Sequence, residues 1–209
     1  MGKTVEERTQ DYVKQIGRAV RATQLQTGLM LTPESLKVYK PNKSGSGAAI
    51  KFDLRLVPKW GRPKSKPGTG PTIPFVESVG GGMFMELARQ VGEKDGNAVF
   101  GWQSSDQVIV VKLGLPDLSA ILCGIECRWS KRALVNPKKN TNDTVGLFHQ
   151  TPGGGTKAID YKLVGDGAII RVSQGKGDYI SIKLSLAEEL QMRLYFEHAM
   201  KMLMLTGMR

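Results

Sequence analysis

The sequence predicts an α+β fold in which a unit of four antiparallel strands followed by a helix occurs twice, preceded by one further helix. Three observations predict it. Apolar residues alternate at period two through most of the chain, the signature of half-buried strands. Two segments switch to helical spacing, one mid-chain and one near the end. The runs leading into them share one grammar: AVFGWQSSDQVIVVKLGLPDLSAILCGI and AIIRVSQGKGDYISIKLSLAEELQMRLYF each read as strand, polar turn, strand, helix, with Lys112-Leu113 answering Lys183-Leu184.

In chain order, Thr4 and Glu7 form a capping box that opens a helix reaching about Thr27, with Val5, Tyr12, Val13, Ile16, Ala19 and Val20 as its stripe. Residues 1–30 form this helical extension, and Gly28 and Pro33 mark a linker over 28–35. In the main domain, 36–206, Phe52, Leu54 and Leu56 alternate with Lys51, Asp53 and Arg55, a strand with one apolar and one charged face. The prolines, glycines and cations of residues 59–74 then predict a mobile basic loop. Strands are expected at Met83 to Val91, Ala98 to Gln103 and Gln107 to Leu113. Pro116 opens a helix whose Leu118, Ile121, Leu122 and Ile125 face a core. This first repeat covers 36–127, and residues 128–143 link it to the second, 144–206.

The second repeat offers VGLFHQT, TKAIDYKLV, AIIRVSQ and DYISIKLS as four strands, separated by turns rich in glycine. Ser185 and Glu188 form a capping box for a last helix through about Leu205. Leu190, Leu194, Tyr195, Phe196, Ala199, Met202 and Leu203 cover more than one stripe of that helix. Its surplus apolar face, with Met200 and Met204 as filler, is expected to build a homo-oligomer unless the helix is deeply buried.

The net charge of +11 favours polyanionic partners, and it is unevenly placed. Lys37 to Lys66 holds nine basic residues against one acidic, Asp53, and Arg128 to Lys139 holds five against none. Together these two segments exceed the charge of the whole chain, so the rest is slightly acidic. No apolar run has the roughly 18 residues of a membrane span, and MGKTVEERTQ lacks the apolar core of a signal peptide, so a cytoplasmic protein is expected. Cys123 and Cys127 are expected as free thiols on one helix. His149 and His198 offer no metal-ligand spacing, the glycine clusters at 45–47 and 153–155 sit where hairpins turn, and Glu188-Glu189 suits a helix N-terminus. A binding protein without catalytic residues, metal or cofactor is the expectation.

GGMFMELARQVG, a strand of the first half, and GLFHQTP, which opens the second, resemble the Whirly single-stranded DNA-binding proteins and the related kinetoplastid guide-RNA-binding proteins, over about residues 36–206. The resemblance implies two roughly perpendicular four-stranded sheets backed by helices, assembled as tetramers, with single strands running along the sheet faces. It also implies a binding and assembly role for a Lys-Gly-Lys-Ala-Ala-Leu-like string. Lys43, Gly47, Ala48, Ala49 and Ile50 echo it, with a Ser/Gly insertion. The N-terminus lacks a transit-peptide composition, which points to a viral or prokaryotic relative.

A sequence-tolerant single-strand binder needs cations for phosphates and aromatic faces for bases. The phosphate candidates are Lys43, Lys51, Arg55, Lys59, Arg62, Lys64, Lys66, Arg128, Lys131 and Arg132. The stacking candidates are Trp60 and Trp129, inside the basic segments, and Trp102 and Tyr161, which core packing would also explain. The expected function is sequence-independent single-stranded DNA binding in replication, recombination or repair. The alternatives are an RNA-binding or annealing protein of the same fold, and a structural module that meets acidic protein surfaces.

Overall fold

The structure is a computed structural model that describes the backbone of residues 20–25, 28–61, 75–129, 144–151, 155–175 and 177–205. It is an α+β fold of antiparallel sheets and two helices. The chain opens with a two-stranded pair, β1 (Val20–Leu25) and β2 (Gly28–Pro33). β3 (Leu36–Lys40), β4 (Ala48–Gly61), β5 (Phe75–Lys94), β6 (Asn97–Phe100) and β7 (Val108–Leu113) form sheet one, and α1 (Leu115–Trp129) follows. Sheet two contains β8 (Thr144–Gln150), β9 (Thr156–Val164), β10 (Gly167–Gln174) and β11 (Asp178–Ser185), and α2 (Leu186–Leu205) closes the chain.

Sheet two is a meander, each strand pairing antiparallel with the next. In sheet one β3, β4, β5 and β7 pair in the same succession, while β6 pairs only with the far end of β5. β5 changes partner at a register irregularity between Gln90 and Gly92, past its last β7 pair at Ala88. Such a bulge bends the strand and frees it from one neighbour. The two sheets and both helices share one core. Phe52, Leu54, Met83, Met85, Leu113, Leu118, Ile125, Ile159, Ile170, Ile182 and Phe196 all belong to it.

Several expectations are corrected here. Residues 20–25, expected to finish a helix, form a strand, and the expected linker supplies its partner at 28–33; residues 4–19 lie outside the described residues. Sheet one begins with β3, which lies outside the expected strands, and Ala98 to Gln103 supplies only β6 and a turn. α1 continues to Trp129, so the link between halves begins later than residue 128. β4 continues through Lys59 and Trp60 to Gly61, into the segment expected to be all loop.

That continuation is a two-stranded arm. β3 pairs with β4 only as far as Phe52, and β7 pairs with β5 only as far as Met83, the partner of Leu54, whereas the β4–β5 register runs on to Gly61 and Phe75. Along this stretch β5 is the only strand hydrogen-bonded to β4 among the described residues, although β2 lies near it, and β4 tolerates Pro58, which has no N–H to donate. At the arm's base Gly81 has φ +114°, and a Cβ there would lie 2.0 Å from the Arg55 carbonyl oxygen. Only glycine fits so close an approach. Where β3 no longer reaches β4, the Tyr195 hydroxyl accepts the Leu54 N–H at 3.1 Å, so the backbone donor keeps a partner.

The capping box of α2 is present. The Ser185 N–H and hydroxyl both donate to Glu188 at 2.8 Å, and the Glu188 N–H reaches the Ser185 hydroxyl at 3.4 Å. Lys40 of β3 contacts both Glu188 oxygens at 2.7 Å, tying sheet one to the helix. Burial works to raise the Glu188 carboxyl, but Lys40 and Ser185 outweigh it and hold it below its ordinary 4.5. A depressed carboxyl stabilises the fold above its unfolded value and stops doing so as pH falls through its folded value. Glu188→Gln is therefore expected to cost about 0.5–2 kcal/mol at pH 7, with the difference from wild type vanishing on acidification below pH 4.5 in urea titrations. A difference independent of pH would refute the role of the charge.

No helix among the described residues is long and apolar enough to cross a membrane. Cys123 and Cys127 lie on α1 and neither is in a disulfide.

Candidate nucleic-acid interface

The alternation of β4 divides sheet one into two faces. Ile50, Phe52, Leu54 and Leu56 enter the core, and Lys51, Asp53 and Arg55 take the outer face. Register extends that face. Lys37 and Tyr39 of β3 lie opposite Lys51 and Ala49, Phe84 and Glu86 of β5 lie opposite Asp53 and Lys51, and Lys112 of β7 lies opposite Phe84. The outer face of a half-buried antiparallel sheet is ordinarily polar; this one mixes cations, carboxylates and rings.

The aromatic part gathers where β6 ends. Phe100 lies 5.5 Å from Tyr39, ring centre to ring centre, and the Lys51 ammonium sits 5.8 Å from the Trp102 ring centre. Trp102 is half-buried, in a turn held by the Gly101 N–H to the Arg89 carbonyl at 2.9 Å and by its own N–H to the Phe100 carbonyl at 2.9 Å. Ala49 and Ala88, partners in register on this face, are fully buried, so this end of the face is covered. Farther along, the Arg55 guanidinium lies 4.6 Å from the Phe84 ring centre. Both cation and ring pairs are within range of a cation–π attraction.

The charges of Lys51 and Arg55 are already matched. Lys51 pairs with Glu86 at 2.5 Å, and Arg55 pairs with Asp53 at 2.8 Å and closely with Glu86. Asp53 also accepts a bond from the Ser35 hydroxyl at 3.3 Å. Burial opposes the charge on Arg55, but the Asp53 hydrogen bond and the nearby Glu86 raise its pKa further. Both carboxylates are buried and cannot turn away into water. A phosphate would compete with them for Lys51 and Arg55, so those two residues are holders of the surface rather than spare phosphate ligands. Lys37 and Lys112 on the same face are exposed and are better placed for that work. The Lys112 stem runs over Gly82, where a Cβ would come within 2.5 Å of its Cε. Beside it, Gly80 to Gly82, Gly114 and Leu203 line a cleft of about 280 Å³ at the base of the arm.

The other sequence candidates fall in different places. Lys43 is exposed in the β3–β4 hairpin loop, which Asn42 organises by accepting from the Ser46 N–H at 2.8 Å and donating to the Ser46 hydroxyl at 2.8 Å. The Ser/Gly insertion is thus a closed turn, and Ala48, Ala49 and Ile50 after it are buried. Lys59 and Trp60 end β4 on the arm, and Arg128 and Trp129 end α1. Arg62, Lys64, Lys66, Lys131 and Arg132 lie outside the described residues. Tyr161 is a correction. It is 1 % exposed, faces α1 and α2, and its hydroxyl donates to Glu189, so no base can reach its ring.

Sequence reasoning missed Lys37, Tyr39, Phe84 and Lys112. Their alternation was readable, but membership of one face depends on strand register, which a single sequence does not state. No protein-family model and no curated protein matches this chain.

Proposed function

We propose that the protein binds single-stranded nucleic acid, DNA in the first instance, through the outer face of sheet one and the basic arm that continues from it, in replication, recombination or repair. One observation carries the reading: Trp102, Tyr39, Phe100 and Phe84 share a sheet face with Lys51 and Arg55, and the same β4 strand runs out into the most basic stretch of the chain. Rings in contact with cations on an open sheet offer stacking surfaces to unpaired bases, and a basic arm supplies the phosphate attraction. The succession β3, β4, β5 and β7 before α1, with β6 as an addition, parallels β8 to β11 before α2 and supports the reading of two related units of Whirly type.

Self-association belongs to the same proposal. Leu186, Leu190, Leu194 and Met204 are exposed along α2 while Met192, Phe196, Ala199 and Leu203 are buried. The helix therefore keeps an apolar stripe that its own sheets do not cover, and a homo-oligomer would cover it.

Anisotropy with a labelled single strand of about 30 nucleotides tests the binding. Tight binding that weakens steeply between about 50 and 200 mM salt, with poor competition by duplex, is the expected result. RNA of the same sequence as a competitor ranks the two nucleic acids. Absence of binding to either at low salt overturns the reading.

A further inference from the structure

We infer that the outer face of sheet two is a second stacking track, on which Phe148 and Tyr179 each hold one base of a single strand. The inference rests on the nucleic-acid reading above and places a separate site on the other sheet.

The strand register puts four residues in one row across the sheet. Phe148 of β8 pairs with Ala158 of β9, Ala158 with Ser173 of β10, and Ser173 with Tyr179 of β11. The row therefore has an aromatic ring on each edge strand and only small side chains between. Phe148 is 64 % exposed and Tyr179 48 %. Their strand neighbours Ile159, Val172 and Ile180 fill the core, so alternation directs this row to solvent. Phe148 and Tyr179 thus flank a floor of alanine and serine with much of each ring open to solvent, Tyr179 carrying Arg171 against it. A β-branched or long polar residue at Ala158 or Ser173 would fill the space between the rings.

Spacing and charge select the occupant. Three inter-strand steps separate the rings by about 14 Å. About four nucleotides of a stacked strand would span this distance, but a base laid on either ring has to leave its own stack and its partner, which an unpaired strand permits and an intact duplex does not. The Arg171 guanidinium lies 3.9 Å from the Tyr179 ring centre, in the adjoining row with Asp160. Lys162 and Lys183 stand one row beyond on the same face. Arg171, Lys162 and Lys183 outnumber the carboxylates Asp160 and Asp166, which favours a polyanion, and the Lys183–Asp166 pair at 2.7 Å is exposed on both sides and weakly held. The Tyr179 platform is also fixed in place: Arg89 of sheet one donates to the Tyr179 carbonyl at 2.9 Å and to Asp178 at 2.5 Å.

The test uses the full chain, with labelled single strands of about 30 nucleotides as probe. Phe148→Ala and Tyr179→Ala are each expected to weaken binding about 5- to 150-fold, with the slope of affinity against salt unchanged, because neither residue neutralises a phosphate. Phe148→Tyr and Tyr179→Phe are expected to retain binding, and thermal melting of all four variants should match wild type because both rings are exposed. If wild type binds and the alanine variants bind within twofold of it, the inference falls while the nucleic-acid reading stands. If wild type binds neither DNA nor RNA, both fall. If the alanine variants lose self-association and keep binding, the row is a contact between copies and the inference is overturned.

Discussion

Phe196→Ala is expected to lower the unfolding free energy by about 3–5 kcal/mol, the range for removing a fully buried aromatic side chain. Phe196 is 0 % exposed and meets Phe52 edge to face, with ring centres 5.0 Å apart and planes at 83°. Phe52 belongs to β4 and Phe196 to α2, so this contact joins the second helix to the first sheet across the core. Met192, Ala199 and Leu203 flank it on the same helix face and are equally buried, which leaves little freedom for neighbours to collapse into the space. Against a typical stability of about 5–15 kcal/mol, the loss would leave the variant close to unfolding. Urea titrations should show a lower midpoint at an unchanged slope. The double variant with Phe52→Ala should reveal a coupling of about 0.5–1.5 kcal/mol for the ring pair. A loss below about 1 kcal/mol would mean that α2 does not pack on sheet one in solution, and the shared core would be wrong.

The second half of the chain was legible because each of its strands buries one face and wets the other. Ile170 and Val172, and Ile180, Ile182 and Leu184, fall at alternate positions and are buried, as their spacing required. The capping box was legible because its partners are three residues apart. The first half was harder for a physical reason. The strand expected from Met83 begins at Phe75, and β5 runs through Gly80 to Gly82, because a ribbon paired on one side can accept glycines where its partner's backbone comes close. The change of partner at Gln90 is a tertiary event with no local signature.

The candidate site shows the same divide. Residue types and net charge identified Lys51, Arg55 and Trp102, which do share a face. What compensates the cations was not legible, since Glu86 is 31 residues from Arg55 and meets it only through the β4–β5 register. Tyr161 illustrates the converse. A tyrosine between Ile159 and Leu163 fits a core or a binding face equally by pattern, and its burial against Glu189 decides for the core.

Trp102→Ala is expected to weaken single-strand binding by about 1–3 kcal/mol, roughly 5- to 150-fold, if its ring is a stacking surface. Trp102 does two things at once, and the variant must separate them. The ring is half-buried, so truncation also removes packing and should cost some stability. Trp102→Phe keeps a ring over Lys51 and covers most of the same surface, so it should recover most of the affinity as well as the fold. Lys112→Ala supplies the contrast. It removes an exposed charge from the same face, and is expected to lower affinity modestly while reducing the salt slope by about 1, which Trp102→Ala should leave unaltered. Folded Trp102→Ala protein that binds as tightly as wild type would exclude the sheet-one face as a stacking surface. Binding would then have to be carried by the arm's charges and the rings of sheet two, with a salt slope that accounts for nearly all of the affinity.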